Sequence, residues 1–256
     1  MDLVDTHCHI HSSDYELDPD EVITSARKDG VNRLICVGTD PSDSKLAVSF
    51  SEKRENAWAS VGIHPHEANK YVGDEALLSE FVQLVKKPKV VAIGECGLDF
   101  FYNHSSKKDQ LEIFELQLKL AKVNNLPIIF HVREAFDDCW PIFDKFPGVK
   151  GVIHSFSADK KALAMALERG LSLGVNGIAT FTKNEDQLAM FKQIPIANLV
   201  LETDAPYLTP SPFRGTICQP KHVLVTAEFL ARLRVTTLVE LAERTTKNAN
   251  SLFKLK

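Results

Sequence analysis

Eight short apolar runs, rich in Val, Ile and Leu, recur at fairly even intervals along the chain. They begin at Leu3, Val31, Ala57, Lys89, Leu126, Val149, Leu171 and Asn198. Hydrophobicity is nearly continuous within each run, which is typical of strands buried on both faces of a parallel sheet. The pattern therefore predicts eight buried strands.

The segments between these runs carry helical periodicity. The clearest is KKDQLEIFELQLKLAK, whose apolar positions share one helix face: Leu111, Phe114, Leu118 and Ala121. Ser106 stands three residues before Asp109, which resembles a capping box at the start of this helix. The segments PDEVITSARKDG and DKKALAMALERG run into Gly30 and Gly170, which are natural helix stops.

Strands that alternate with helices predict βαβ units and a parallel sheet. Eight such units indicate an α/β chain that folds as a (β/α)8 TIM barrel, with residues 1–256 forming a single domain. An open, doubly wound sheet is the alternative. After the eighth strand, TPSPFRGTICQP predicts a Pro-rich loop, and TTLVELAERTTKNANSLF predicts a closing pair of helices.

Composition narrows the class of protein. Hydrophobic residues make up 44% of the chain and charged residues 25%, which is a globular composition. The net charge of −4 argues against a broad basic surface that coats nucleic acid. The five cysteines lack CxxC spacing and predict thiols in a reducing compartment. With no signal-peptide pattern and no long apolar run, we expect a cytoplasmic monomer with no membrane attachment.

Ionisable residues gather where the predicted strands end, which is the functional face of a (β/α)8 barrel. They are His7 and His9 after the first strand, His64 and His66 after the third, Glu95 and Asp99 after the fourth, His131, Arg133 and Glu134 after the fifth, His154 after the sixth, and Glu202 and Asp204 after the eighth. Burying so many imidazoles and carboxylates is costly unless a cation compensates them. The ligand types fit zinc, manganese, iron or magnesium in a hydrolytic site, with enough ligands for two ions and Glu95 placed to bridge.

The first strand ends in the motif HCH. Because strand side chains alternate, His7 and His9 project to one face and Cys8 to the other. We therefore expect Cys8 to be a packed thiol, and we disfavour a cysteine nucleophile at Cys8 or Cys96. Asp5 shares the parity of the two histidines and is expected to orient an imidazole.

Arg133 stands two residues after His131 and should share its inward face. A guanidinium beside a metal site is a natural clamp for phosphate. The alternative is that Arg133 forms an ion pair with a neighbouring acid such as Glu134 or Asp138. The sequence leaves both interpretations open.

Six motifs resemble, in their order, those of the TatD-related metal-dependent deoxyribonucleases, a family of amidohydrolase-like metal hydrolases: VDTHCHI, VGIHPH, AIGECGLDFFY, FHVREAFDD, VIHSFS and LETDAPYLTP. The resemblance implies a barrel with a two-metal centre. One ion would be held by His7, His9, Glu95 and Asp204, and the second by Glu95, His131 and His154. His64 and Arg133 would meet the substrate phosphate, while Glu95 and Asp204 would serve catalysis, with Asp204 accepting a proton from the attacking water.

The same resemblance implies a divalent-metal-dependent deoxyribonuclease of 3′–5′ exonuclease type that acts on DNA ends or single strands. The cofactors would be two divalent ions (Mg, Mn or Zn). One departure concerns substrate positioning: many relatives carry Asn-Glu-Pro or Asn-Gln-Pro after PFRG, whereas this chain reads TICQP, with Ile217, Cys218, Gln219 and Pro220.

Two other functions stay open at this stage. A related hydrolase could cleave an ester, lactone or amide, but such sites often use a carbamylated lysine on the fourth strand, where this chain has Gly94-Glu95-Cys96. A metal-stabilised binding protein without activity is the second alternative, and metal analysis with chelator-sensitive turnover would separate it from an enzyme.

Overall fold

The computed structural model of the chain describes residues 1–102 and 104–255. All eight predicted strands form. Their bounds are β1 (Leu3–Cys8), β2 (Val31–Val37), β3 (Ala57–Val61), β4 (Val90–Asp99), β5 (Ile128–Arg133), β6 (Gly151–Ile153), β7 (Ser172–Val175) and β8 (Leu199–Leu201). They share one sheet in chain order from β1 to β8, and the described pairings are parallel. This is the strand order of the predicted (β/α)8 barrel and excludes the doubly wound alternative.

Helices lie between and after the strands. Their bounds are α1 (Pro19–Lys28), α2 (Pro41–Glu52), α3 (Glu75–Leu84), α4 (Lys107–Asn124), α5 (Phe136–Phe143), α6 (Lys160–Glu168), α7 (Ile178–Phe181), α8 (Glu185–Gln193), α9 (Val223–Arg234) and α10 (Leu238–Phe253). Short 3₁₀ segments cover Pro65–Lys70, Ile196–Asn198 and Pro220–His222. Ser106 caps α4 as predicted, accepting a hydrogen bond from the backbone N–H of Asp109.

Two compact units make up the chain. Unit 1 comprises Met1–Ile35 together with the chain from Ser155 onward, and unit 2 comprises Cys36–His154. In unit 1, β1 lies beside the end of β8, where Cys8 and Ala205 form a parallel bridge. In unit 2, β3, β4, β5 and β6 pair in succession.

The predicted closing helix pair is wrong in its bounds. The segment TTLVELAERTTKNANSLF forms the single helix α10, whose N-cap Thr237 accepts a hydrogen bond from the backbone N–H of Glu240. Its helical partner, α9, begins earlier at Val223, directly after the 3₁₀ segment Pro220–His222. All five cysteines are buried as thiols. Among the described residues, no helix has both the length and the apolar content needed to cross a membrane.

Candidate metal centre

The ends of β1 and β8 bring three ligand-type side chains together within unit 1, and we call His7, His9 and Asp204 the β1–β8 cluster. The Nε2 atoms of His7 and His9 lie 3.1 Å apart. Both approach Asp204 Oδ1, at 3.6 Å from His7 and 3.4 Å from His9. The predicted alternation is therefore confirmed for HCH, because the two imidazoles meet while Cys8 is buried and its Sγ contacts Ile35 O.

Backbone hydrogen bonds between strand ends hold this cluster. The N–H of Asp204 donates to His7 O at 2.8 Å, and the N–H of His9 donates to Ala205 O at 2.7 Å. Asp204 has a positive φ of 65°, a left-handed conformation that is uncommon outside glycine and often found at functional sites. The backbone turn at Asp204 aims its carboxylate at the two imidazoles.

Asp5 does not orient an imidazole, so that expectation is wrong. Its carboxylate accepts hydrogen bonds from the backbone N–H of His7 and of Thr203, and from the Thr203 hydroxyl at 2.6 Å. Burial raises the pKa of Asp5 well above its ordinary value, although these hydrogen bonds act in the opposite direction. Asp5 therefore ties β1 to the chain after β8 through backbone groups.

A second group forms in unit 2, and we call His64, Glu95 and His131 the β3–β5 cluster. Ligand atoms of all three side chains lie within 4.8 Å of one another. His131 Nδ1 is 2.9 Å from Glu95 Oε1, and His64 Nε2 is 3.7 Å from the same oxygen. The family resemblance implies that His64 meets the substrate phosphate, and its distances to Glu95 and His131 also group it with the possible metal ligands.

Asp99 supports this cluster from behind. Its Oδ2 lies 3.0 Å from His131 Nε2 and 3.0 Å from His66 Nε2. Burial opposes protonation of His131, but its hydrogen bonds to Asp99 and Glu95 outweigh burial and raise the pKa of His131 to about 9. Burial acts to raise the pKa of Asp99, yet hydrogen bonds from His131 and from the Tyr102 backbone hold that pKa well below its ordinary value.

The remaining imidazole of the cluster behaves differently. Burial lowers the pKa of His64 well below its ordinary value, and the neighbouring His131 adds to this effect. At neutral pH the His64 ring is therefore neutral. Its Nδ1 accepts a hydrogen bond from the backbone N–H of His66 at 3.2 Å, so the ring proton lies on Nε2.

Two buried glutamines of α4 position the strand ends of unit 2. The Gln117 side chain accepts from Ile63 N at 2.8 Å and donates to Ile63 O at 2.9 Å, beside His64. The Gln110 side chain pairs in the same way with the backbone of Asp99, at 2.8 Å and 3.0 Å. The apolar periodicity that predicts α4 does not reveal the role of either glutamine, because both side chains are polar. Their spacing of two helical turns was the available signal.

Glycine is required where β4 passes β5. Gly97 has a φ of 144°, and a Cβ atom there would lie 2.0 Å from His131 O. Only glycine allows β4 to come this close to His131, so Gly97 contributes to the approach of the imidazole to Glu95.

His154 and Glu202 follow directly after β6 and β8 in their own units. The backbone N–H of His154 donates to Phe130 O on β5, and the side chain is buried. The charge of His154 opposes protonation of His131, so these two imidazoles influence each other. In unit 1, Glu202 Oε1 accepts hydrogen bonds from Ser155 N at 2.7 Å and from Asn176 Nδ2 at 3.3 Å.

Arg133 forms no ion pair with Glu134, with Asp138 or with any other acid in the described part of the chain. Its guanidinium instead lies over the rings of Phe101 and Tyr102, at 4.0 Å and 4.8 Å from their centroids. The ion-pair alternative raised by the sequence is therefore wrong. The charge of Arg133 remains available to an anion.

The donor sets fit divalent cations. Two ligands about 2.1 Å from one zinc ion lie roughly 3.0–3.4 Å apart. The 3.1 Å between the His7 and His9 nitrogens and the 3.4 Å from His9 to Asp204 fall in that range, and the 3.6 Å from His7 to Asp204 lies slightly above it. In the β3–β5 cluster, His131 faces Glu95 with Nδ1 and Asp99 with Nε2, the arrangement of a ligand imidazole whose other nitrogen has a carboxylate partner.

The loop that departs from the family pattern folds within unit 1. Cys218 is buried, and its N–H donates to Pro206 O at 3.0 Å. Ile217 lines an open cleft together with Tyr207 and Arg214. The departure therefore places an apolar side chain in a cleft of the loop that begins directly after Asp204.

Known proteins resemble this chain along nearly its whole length. A family model described as TatD related DNase matches residues 4–254. An uncharacterized metal-dependent hydrolase of Bacillus subtilis, YabD, is 36% identical over 99% of both chains. The 3′-5′ ssDNA/RNA exonuclease TatD of Erwinia amylovora is 33% identical over 99% of this chain and 100% of its own.

A solved structure agrees with this likeness. The crystal structure of YJJV, a TatD homolog of Escherichia coli, superposes with a TM-score of 0.92 at 28% identity, covering 99% of this chain and 98% of the other. Its agreement over the full length supports the barrel assignment made from the strand order. By the family model and by its relatives, this chain belongs to the TatD-related DNase family.

Proposed function

We propose that this metal-dependent hydrolase of the TatD family is a nuclease that removes nucleotides from the 3′ end of single-stranded DNA. The observation that carries the proposal is the pair of imidazole–carboxylate clusters accompanied by Arg133, whose charge no acid neutralises in the described part of the chain. An unneutralised guanidinium two residues after His131 on the same strand favours a phosphodiester over a neutral ester, lactone or amide. The exonuclease name of the Erwinia relative adds support.

For the metal ligands we propose the two sets that the family resemblance implies. His7, His9, Glu95 and Asp204 would hold one ion, and Glu95, His131 and His154 would hold the other. When bound, two divalent ions supply Lewis-acid activation of water and charge neutralisation at phosphorus. The ions could be Mg, Mn or Zn, since all three accept imidazole or carboxylate ligands.

The side chains of this chain then divide the work. Arg133 binds non-bridging phosphate oxygens with paired N–H donors and offsets the charge that develops on them. His64, which is neutral, donates one hydrogen bond to the same phosphate. Asp204 accepts the proton of the attacking water, because its carboxylate lies in the β1–β8 cluster and is partly exposed.

Hydrolysis of labelled single strands tests the proposal. We expect a 3′-labelled oligonucleotide to release labelled mononucleotide with magnesium or manganese, and a 5′-labelled strand to give a ladder of shortening products. His131→Ala should abolish both signals, whereas the control His222→Asn, which alters a buried imidazole outside both clusters, should retain them at pH 7.5. Undiminished cleavage by His131→Ala would contradict the ligand assignment.

Parallel substrates separate the related chemistries. RNA of the same sequence measures sugar preference, and a panel of lactones and phosphotriesters represents the other hydrolases. Turnover of a lactone with no cleavage of either nucleic acid would overturn the nuclease proposal while leaving a metal-dependent hydrolase in place.

A further inference from the structure

Arg133 and the segment after β4 are held side by side within unit 2. β4 and β5 pair in parallel with Asp99 opposite Arg133, and the N–H of Phe100 donates to Arg133 O at 3.0 Å. The next two residues, Phe101 and Tyr102, carry exposed rings. The sheet register itself therefore brings two aromatic side chains to the last residue of β5.

The two rings form a corner around the guanidinium. Their centroids are 4.7 Å apart with an interplanar angle of 88°. The guanidinium carbon of Arg133 lies 4.0 Å from the centre of Phe101 and 4.8 Å from that of Tyr102. Both distances are within the range of cation–π attraction.

The backbone that carries the two rings is held by Asp99. Its Oδ1 accepts hydrogen bonds from the backbone N–H of Phe101 at 3.0 Å and of Tyr102 at 2.9 Å. Its other oxygen lies 3.0 Å from His131 Nε2. One carboxylate thus sets both the backbone that carries the rings and the imidazole of a candidate metal ligand.

Ring contacts can hold an arginine side chain in place without neutralising its charge, whereas an ion pair neutralises it. A carboxylate partner would occupy the N–H donors and cancel the charge, so it would compete with phosphate. An aromatic face restricts the side-chain rotamers, which otherwise cost about 2 kcal/mol of entropy to order, and leaves all five donors available. Aromatic rings therefore suit a guanidinium that must be held in one position and still carry its charge better than a carboxylate does.

We infer that Phe101 and Tyr102 are positioning residues that hold the Arg133 guanidinium, uncancelled, at the phosphate subsite. The inference rests on the proposed function for the identity of the anion, a phosphodiester, but the placement of Arg133 can be tested without turnover. The rings act through Arg133 and need not touch the substrate.

The first test observes Arg133 by NMR. The Nε–Hε resonance, assigned with Arg133→Lys, should be shifted by ring currents in the wild-type protein and should return toward the ordinary arginine position in Phe101→Leu. Titration with inorganic phosphate should perturb this resonance in the wild type and require about tenfold more phosphate in Phe101→Leu. An unshifted wild-type resonance, or equal phosphate response in both proteins, would overturn the inference even if the enzyme proves to be no nuclease.

The second test uses kinetics on the single-stranded substrate. Phe101→Leu should raise KM roughly five- to thirtyfold and change kcat less, since Arg133 binds phosphate before and during the reaction. Phe101→Tyr should restore KM to within about twofold, because a phenol ring keeps the aromatic face. The matched control is Phe50→Leu on helix α2. It removes a similar ring contact, because the guanidinium carbon of Arg54 lies 3.9 Å from the centre of the Phe50 ring.

A double-mutant cycle separates positioning from direct contact. In an Arg133→Ala background, Phe101→Leu should cause no further rise in KM, because the ring has nothing left to hold. An equal rise in both backgrounds would mean that Phe101 contacts the substrate itself, for example by stacking on a base, and would overturn the inference. Absence of any nucleic-acid cleavage by the wild type would instead contradict the proposed function, leaving the NMR result to judge the placement.

Discussion

The β1–β8 cluster and the β3–β5 cluster contain similar side chains but are built differently. In the first, backbone hydrogen bonds between neighbouring strand ends bring His7, His9 and Asp204 together. In the second, buried side chains do this work: Gln117 holds the chain beside His64, and Asp99 holds His131. The first site is therefore placed largely by backbone contacts at strand ends, with Asp5 adding side-chain hydrogen bonds, and the second by buried polar side chains, so the two should respond to different mutations.

The largest expected effect comes from Glu95, which contacts His131 in the β3–β5 cluster. Glu95→Gln should lower kcat/KM by about 10²–10³ and reduce bound metal, because a neutral amide is a poorer ligand and compensates less charge. Steady-state kinetics and elemental analysis of the purified protein measure both. Glu112→Gln, on the exposed face of α4, is the control. Full metal content with full activity in Glu95→Gln would remove this carboxylate from the centre.

Gln117 tests whether side chains really support the second cluster. Gln117→Leu leaves both the N–H and the C=O of Ile63 buried without their partner, so it should lower the free energy of unfolding by about 2–4 kcal/mol. Urea unfolding with an unchanged m-value would report this loss. Lys119→Leu, an exposed position two residues along the same helix, should change stability by less than about 0.5 kcal/mol. Equal stability of the two variants would argue that the glutamine network is dispensable.

Asp99 sharpens the comparison further, because its charge faces an imidazole of the β3–β5 cluster. Asp99→Asn keeps an oxygen for the backbone N–H groups of Phe101 and Tyr102 but removes the charge facing His131. We expect metal affinity to fall about 10–100-fold. In metal-free protein, the pKa of His131 should drop from about 9, since a raised imidazole pKa depends on its carboxylate partners. Metal titration and NMR of the imidazole protons measure these changes, and an unmoved pKa would contradict the role of Asp99.

The smallest expected effect is a loss of folding stability in acid, which we attribute to His222 in unit 1. Burial, and then the charge of Lys221, lowers the pKa of His222 to about 4 from an ordinary 6.5. Between these values the unfolded chain binds more protons than the folded one, so stability present above pH 6.5 is lost as the pH falls toward 4. The loss should be roughly 1–2 kcal/mol by pH 4.5.

Urea unfolding at pH 7 and pH 4.5 measures this loss. His222→Asn can still accept the hydrogen bond from Gln219 N and should show a shallower pH dependence than the wild type. A variant with the same slope as the wild type would place the acid sensitivity in other groups.

Sequence reasoning predicted the strands and the His-x-His pair because burial and alternation are periodic along the chain. It predicted neither the role of Asp5 nor the partners of Arg133. Asp5 has the parity of a ligand but bonds to Thr203, almost two hundred residues away, and parity carries no information about such contacts. The rings around Arg133 likewise depend on the register of β4 against β5, which no local pattern encodes.

The helices at the end of the chain also depend on contacts that the local sequence pattern does not encode. The sequence predicts two helices in TTLVELAERTTKNANSLF, yet it forms one, and two of its threonines lie inside α10, where Thr245 donates to Leu241 O and Thr246 to Asp2 O. A polar residue inside a helix reads as a break only until its tertiary partner is known.

The Gln117 amide gives β3 something that its sheet neighbour does not supply. It offers one C=O and one N–H to the backbone of Ile63, so a single side chain imitates the peptide group of an adjacent strand and forms an artificial rung at the strand terminus. The next residue, His64, donates its N–H to Thr39 O at 2.7 Å, so the start of the Pro65–Lys70 turn is held by this backbone contact and by the Gln117 rung together. Loop grafts inserted after Lys70 should therefore leave the register of β3 unchanged, which makes this turn a natural place to engineer the chain around the β3–β5 cluster.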